Sequence, residues 1–245
     1  ARQEIALAAL EGGLDVLLEK PPAATLGEVE HIEAEARRVG RALYATWHSQ
    51  HAAAVPATAE ALVGRKIAKL DIQWLEDVRK WHPGQEWIWA PGGFGVFDPG
   101  INAHTIATRI LPTPLFVRSA ELLVPANKQA PIAARLDFGD GLGATFDWRH
   151  SDGERWTIRV EAGEGMLIEL RDGGARLLID GVEQPLGHRG EYPSIYDRFA
   201  ALVADGAVEV DREPLRIVAD AFLVGRRRSA GAVRCVAAGR LGGAR

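Results

Sequence analysis

The chain has 245 residues, 25% of them charged and 47% hydrophobic, enough for one large or two smaller globular bodies with real cores. A formal net charge of −4 argues against a nucleic-acid partner held by phosphate contacts, and one cysteine, Cys235, excludes an intrachain disulfide or a cysteine-cluster metal site. No apolar run is long enough to span a bilayer and no signal peptide opens the sequence, so the expected location is cytoplasmic, with no membrane partner.

The pattern predicts a helix over residues 3–11 that stops at Gly12-Gly13. Val16, Leu17 and Leu18 form a short apolar strand that breaks off at Glu19-Lys20-Pro21-Pro22. Thr25 and Glu28 have capping-box spacing, and Leu26, Val29, Ile32, Ala36 and Val39 follow at helical intervals up to Gly40. A second apolar strand, Ala42 to Trp47, ends at His48. Helix, strand, helix, strand with short links implies parallel strands joined by a right-handed crossover. In such sheets the ligand lies beyond the carboxyl ends of the strands, where Lys20 and His48 stand.

After His48 the pattern changes. A short helix is predicted over 54–63, then a strand in which Ala68, Leu70, Ile72 and Trp74 alternate with Lys69, Asp71 and Gln73, as in a sheet with one wet face. Residues 74–102 hold Trp74, Trp81, Trp87 and Trp89, four of the seven tryptophans, among Glu76, Asp77, His82, Asp98 and Asn102. Flat rings interleaved with carboxylates and amides suit a neutral polyol, whose C–H face stacks on rings while polar groups read its hydroxyls. Glycines at 92, 93, 95 and 100 let backbone pass close to something bulky. Pro99 favours a helix start, which puts Asp98 at the N-cap and Asn102 one turn on, both facing the loop.

Further strands are expected at 116–124, 132–138, 143–149, 156–162, 166–170 and 175–179, separated by Gly139-Asp140-Gly141, Asp172-Gly173-Gly174 and Asp180-Gly181 turns. Helices are predicted over 194–204 and 214–223, with Arg226–Arg228 as cations at the C-terminal dipole of the latter. Residues 229–245 hold no acidic residue and no stable period, and are expected to be a disordered tail.

Glu19-Lys20-Pro21 after a strand, followed by Gly95…Asp98-Pro99-Gly100-Ile101-Asn102, resembles the glucose–fructose oxidoreductase-like family of NAD(P)-dependent dehydrogenases. Within it, WHSQHAAAV, EDVRKWHPGQEWIW and GGFGVFDPGINA are similar to the bacterial aldose 1-dehydrogenases that oxidise L-arabinose or D-galactose. The E-K-P tripeptide is a weak signal; the three longer strings in this order are a strong one. The resemblance covers roughly residues 3–228 and implies an α/β plus α+β fold. A partial Rossmann parallel sheet (1–48) would precede a largely antiparallel, open-faced sheet with helices on one face (49–228), and that open face often builds a homo-oligomer. The family's glycine-rich phosphate turn is not found in the sequence, so the chain is expected to be an N-terminally incomplete copy.

The activity implied is oxidation of the C1 hemiacetal of a neutral aldose to its lactone, with hydride passing to NAD or NADP and no metal needed. The resemblance gives catalytic roles to Lys20, Asp98 and Asn102, with Asp98 the leading general base, Lys20 polarising the sugar oxygen, and Asn102 standing where many family members carry histidine. It makes His48, Glu76, Trp81, His82 and Trp156 sugar contacts, Trp148 fitting almost as well as Trp156, and puts Glu19, Lys20 and Pro21 against the cofactor. The alternatives are a non-catalytic relative that senses a sugar or nucleotide, or another sugar or polyol dehydrogenase of the same family.

Overall fold

The computed structural model of the chain describes residues 2–163, 165–187 and 190–233. Helix α1 (Arg2–Glu11) stops at the expected glycine pair and β1 (Val16–Leu18) follows. Helix α2 (Leu26–Val39) is capped as its spacing requires: the Thr25 hydroxyl accepts from the Glu28 amide at 3.2 Å, and the Glu28 carboxylate accepts from the Ala24 amide at 2.9 Å. It ends at Gly40, whose φ of 65° is left-handed backbone that a side chain disfavours. Strand β2 (Leu43–Ala45) then lies parallel to β1. The core of a doubly wound unit is therefore present, as expected.

A 3-10 turn (His48–His51) and α3 (Ala54–Leu62) lead into β3 (Ile67–Leu75), the middle strand of a nine-stranded sheet. Leu70, Ile72 and Trp74 face the core, whereas Ala68 near the strand's start is exposed. A short α4 (Val78–Trp81), a 3-10 turn (Glu86–Trp89) and α5 (Phe97–Ile110) come next. Strands β4 (Ser119–Pro125), β5 (Ala133–Gly139) and β6 (Leu142–Asp147) build one side of β3; β7 (Arg155–Ala162), β8 (Met166–Arg171), β9 (Arg176–Ile179) and β10 (Val182–Glu183) build the other. These pair antiparallel to their neighbours, except that β3 and β6 run parallel.

Three segments depart from expectation. Helix α5 begins at Phe97 with Val96 as its cap residue, so Asp98 sits inside the first turn and does not cap it. After α6 (Glu191–Asp205), β11 (Val208–Val210) leaves the large sheet and pairs in parallel with β2, giving the small sheet the order β1-β2-β11. Residues 208–210 lie between the helices predicted over 194–204 and 214–223, where no strand is expected. After α7 (Glu213–Val224) the arginine run is strand, not helix end: β12 (Arg226–Ala230) pairs in parallel with β4 at the edge of the large sheet. Ser229 and Ala230, expected in a disordered tail, belong to that strand, and the tail from 234 onward lies outside the described residues.

One apolar core runs through both sheets, from Val16 and Leu18 through Trp47 to Ile72, Phe97 and Phe146. Helix α5 lies at its centre with Asp98 and ten neighbours buried, and it touches the chain around β3, β7 and α7. No described helix is long and apolar enough to cross a membrane.

Candidate active site

The cavity between the two sheets has a volume of about 320 Å³, and Lys20, His48, Glu76, Trp81, His82, Asp98, Asn102 and Trp156 all line it. The fold brings eight of the ten residues read from the sequence to one place. Glu19 and Pro21 stand outside it: their carbonyl oxygens accept from the Arg2 guanidinium, and the Glu19 carboxylate accepts from the Lys20 amide at 3.3 Å.

The carboxyl end of β1 delivers Lys20, and the first turn of α5 delivers Asp98. Lys20 Nζ donates to the Asp98 carbonyl oxygen at 2.9 Å and lies 3.4 Å from Oδ1 of its carboxylate. One turn along α5, the Asn102 side-chain oxygen is buried without a hydrogen-bond partner. An unpaired buried acceptor costs roughly 1–3 kcal/mol. Close packing sets the helix in place. A Cβ on Gly100 would lie 2.6 Å from the Phe146 ring, and one on Gly95 would lie 2.4 Å from the Pro131 carbonyl oxygen. The glycines thus admit the protein's own chain, not a ligand.

The opposite wall is aromatic. Trp74 and Trp156 stack with ring centres 5.9 Å apart, and Trp81 leans on Trp156 at 5.5 Å. Trp81 is 43% exposed and donates to Glu154 at 3.1 Å. Of the four tryptophans between 74 and 102, only Trp74 and Trp81 reach the cavity; Trp89 packs edge-on to Trp148 in the core and Trp87 points to solvent.

Glu76 is 2% exposed, and its two oxygens accept from the indoles of Trp148 (3.1 Å) and Trp156 (2.9 Å). Trp148 therefore works from behind the cavity wall and Trp156 forms its surface. Burial, reinforced by the nearby Asp98 charge, pushes the Glu76 carboxyl up to about 7 although both indoles and Lys20 oppose the shift. His82 Nε2 lies 3.9 Å from both Glu76 Oε1 and Asp98 Oδ2.

Trp74 also borders the cavity, as do Ser49, Pro99, Asp172, Gly173 and Glu191, which sequence reasoning missed. The Glu191 carboxylate meets His48 Nδ1 at 3.0 Å across 143 residues of sequence. Asp172-Gly173 was read only as a turn signal. Trp74 was read both as a core-facing strand residue and as one of the rings of the Trp-rich stretch, without a named sugar contact.

A parallel sheet whose carboxyl ends open on a polar and aromatic cavity, beside an open-faced mixed sheet, defines an oxidoreductase of the two-sheet dehydrogenase kind. The chain is 47% identical over 229 residues to a galactose 1-dehydrogenase of Pseudomonas fluorescens, covering 90% of this chain and 72% of that protein. It superposes on the crystal structure of D-galactose-1-dehydrogenase from Rhizobium etli with a TM-score of 0.89 at 47% identity, over 95% of this chain and 76% of that one. KijD10, a 3-ketoreductase from Actinomadura kijaniata solved with TDP-benzene and NADP, shares the fold alone, with a TM-score of 0.75 at 19% identity over 94% and 76% of the two chains. No family model matches the sequence. The chain belongs to the glucose–fructose oxidoreductase-like family of NAD(P)-dependent dehydrogenases.

Proposed function

We propose that the protein oxidises the C1 hemiacetal of a neutral aldose to its lactone, with D-galactose first and L-arabinose second among substrates. The observation that carries this reading is the facing of Lys20, Asp98 and Asn102 across one cavity from the Trp81–Trp156 wall. A pyranose has one apolar C–H face and a rim of hydroxyls, the complement of those two walls. The 47% identity to two galactose dehydrogenases supports galactose.

The donor set supports a dinucleotide cofactor. Nothing lining the cavity accepts a hydride, while the carboxyl ends of β1 and β2 open on it as in nucleotide-binding sheets. NAD or NADP, held beside Glu19, Lys20 and Pro21, would supply the hydride acceptor. Residues 1–48 together with Val208–Val210 would form the nucleotide side, and the nine-stranded sheet the sugar side.

Asp98 takes the proton from the sugar's O1 hydroxyl. Lys20, already on Asp98, orients that oxygen and offsets the charge that develops on it. The Asn102 amide reads a ring hydroxyl without titrating, and Trp81 covers the sugar's apolar face. His48, braced by Glu191, reads a hydroxyl at the rim.

The test is a sugar panel on the full-length protein, following NAD(P)H absorbance, with Asp98→Asn as the control. Oxidation of D-galactose and L-arabinose, reduced about 10²–10⁴-fold by the substitution, is expected. Preference for a sugar phosphate or a uronic acid would overturn the reading. Sugar binding without turnover would mark a sensing relative instead.

A further inference from the structure

The cavity holds one more arrangement than the chemistry above uses. Asp98 divides its carboxylate: Oδ1 faces Lys20 at 3.4 Å, and Oδ2 faces His82 Nε2 at 3.9 Å. The same Nε2 lies 3.9 Å from Glu76 Oε1, so a single nitrogen is presented to two carboxylates. On its other side the imidazole meets the Gln85 side-chain oxygen, 3.3 Å from Nδ1. An amide oxygen only accepts, so Nδ1 carries the hydrogen and Nε2 is the exchangeable position. Packing fixes the ring: its centre is 5.1 Å from that of Trp148, whose indole N–H holds Glu76.

We infer that His82 is a proton relay behind Asp98, positioned by Glu76 and Gln85. The inference rests on Asp98 being the base of the reading above. As hydride leaves the sugar carbon for the dinucleotide, the O1–H bond breaks and its proton bonds to Asp98. Asp98 then passes the proton to His82 Nε2, which restores the carboxylate that Lys20 pairs with. The imidazolium so formed faces Glu76 Oε1, 3.9 Å from Nε2. The proton leaves to water when the product has gone. Burial pushes the Glu76 carboxyl up to about 7, so from about neutral pH upward it can carry the charge that faces the imidazolium.

The other charged groups around the ring are committed elsewhere. Lys20 is on Asp98, and His48 is on Glu191 across the cavity. On α4, Arg79 is bonded to Asp77 and Lys80 to Glu154. Asp172 borders the far side of the cavity, and Arg176 lies 3.5 Å from its carboxylate.

The experiment uses the full-length protein with saturating D-galactose and measures the steady-state turnover rate, kcat, of NAD(P)H formation against pH and imidazole concentration. His82→Ala is expected to lower that rate about 10–100-fold in non-nucleophilic buffer, with added imidazole restoring much of it in a saturable way. His82→Gln should lose the rate and show less rescue, because its side chain fills the space that imidazole would enter. The parent protein should not respond to imidazole. A His82→Ala protein that turns over normally at saturation but needs far more sugar would make His82 a sugar contact and overturn the relay. So would a loss of rate that imidazole does not touch. If Asp98→Asn keeps its rate, the base assignment itself falls, an outcome separable from either result at His82.

Discussion

Asn102 carries a buried polar atom that the folded chain leaves unpaired. Its buried oxygen has no partner, so Asn102→Ala should leave thermal stability without sugar unchanged or slightly higher. The same substitution should raise KM and lower kcat, because recognition of a hydroxyl is lost along with alignment. A fall in Tm with unchanged KM would give Asn102 a structural role instead. Glu76 and His104 carry opposite signs of pH dependence. The folded state holds the Glu76 proton up to about 7 against an ordinary 4.5. Its contribution is therefore complete below 4.5 and is lost as pH rises through 7, by up to about 3 kcal/mol. Urea unfolding at pH 5 and pH 8 should show that slope in the parent protein and a flatter one in Glu76→Gln. His104 is fully buried among Phe97, Phe138 and Phe146, with both ring nitrogens unpartnered, and burial lowers its pKa to about 3. Here the unfolded chain gains the proton first, so each pH unit below about 6.5 removes up to about 1.4 kcal/mol until the folded-state value is reached. His104→Leu should resist acid unfolding better than the parent at pH 4, with little difference at pH 8.

At the scale of elements, α5 is the part on which the cavity depends. It carries Asp98 and Asn102, and its distance from the sheet is set where Gly100 meets Phe146. Gly100→Ala forces that ring or the helix to move and should cost about 1–3 kcal/mol, even though alanine is the better helix former. The check is paired: a lower urea midpoint, and a kcat loss that Phe146→Leu in the same chain partly restores. Local chemistry made much of this level legible from sequence. Thr25 and Glu28 announced α2, the alternation after Leu70 announced β3, and the glycine-rich turns announced the strand breaks. Elements whose pattern was ambiguous were misread. The arginines of β12 sit on an edge strand, where cations are at home, and next to a helix that reads as their cue. Val208–Val210 is too short to show a period at all. In the cavity, Glu191 was invisible because its meeting with His48 spans 143 residues and leaves no local mark, and Asp172 was hidden within a turn signal; Asp98 and Asn102 share a helix turn and could be paired by spacing.

For the whole molecule, the continuity of the core decides how it unfolds. One apolar cluster joins the two sheets, and the chain passes between them after β2, again to reach β11, and once more to reach β12. A body that cannot be cut out as one contiguous segment should not melt alone. Calorimetry is expected to give a single transition, with the same midpoint followed by tryptophan fluorescence and by far-ultraviolet circular dichroism. Two resolved transitions would mean that the shared core is energetically minor.

The late return of β11 has a consequence in time. Leu43, Tyr44 and Ala45 leave the ribosome early, yet the partner for their open edge is Val208–Val210. Roughly 160 residues must be added in between, which at about 5–20 residues per second takes on the order of 8–30 s. Throughout that interval a short apolar strand waits half-paired on the nascent chain, the kind of edge that recruits wrong partners. Slow codons placed between β2 and β11 would lengthen the wait and should shift newly made protein from the soluble to the aggregated fraction, whereas the same codons placed after β11 should not.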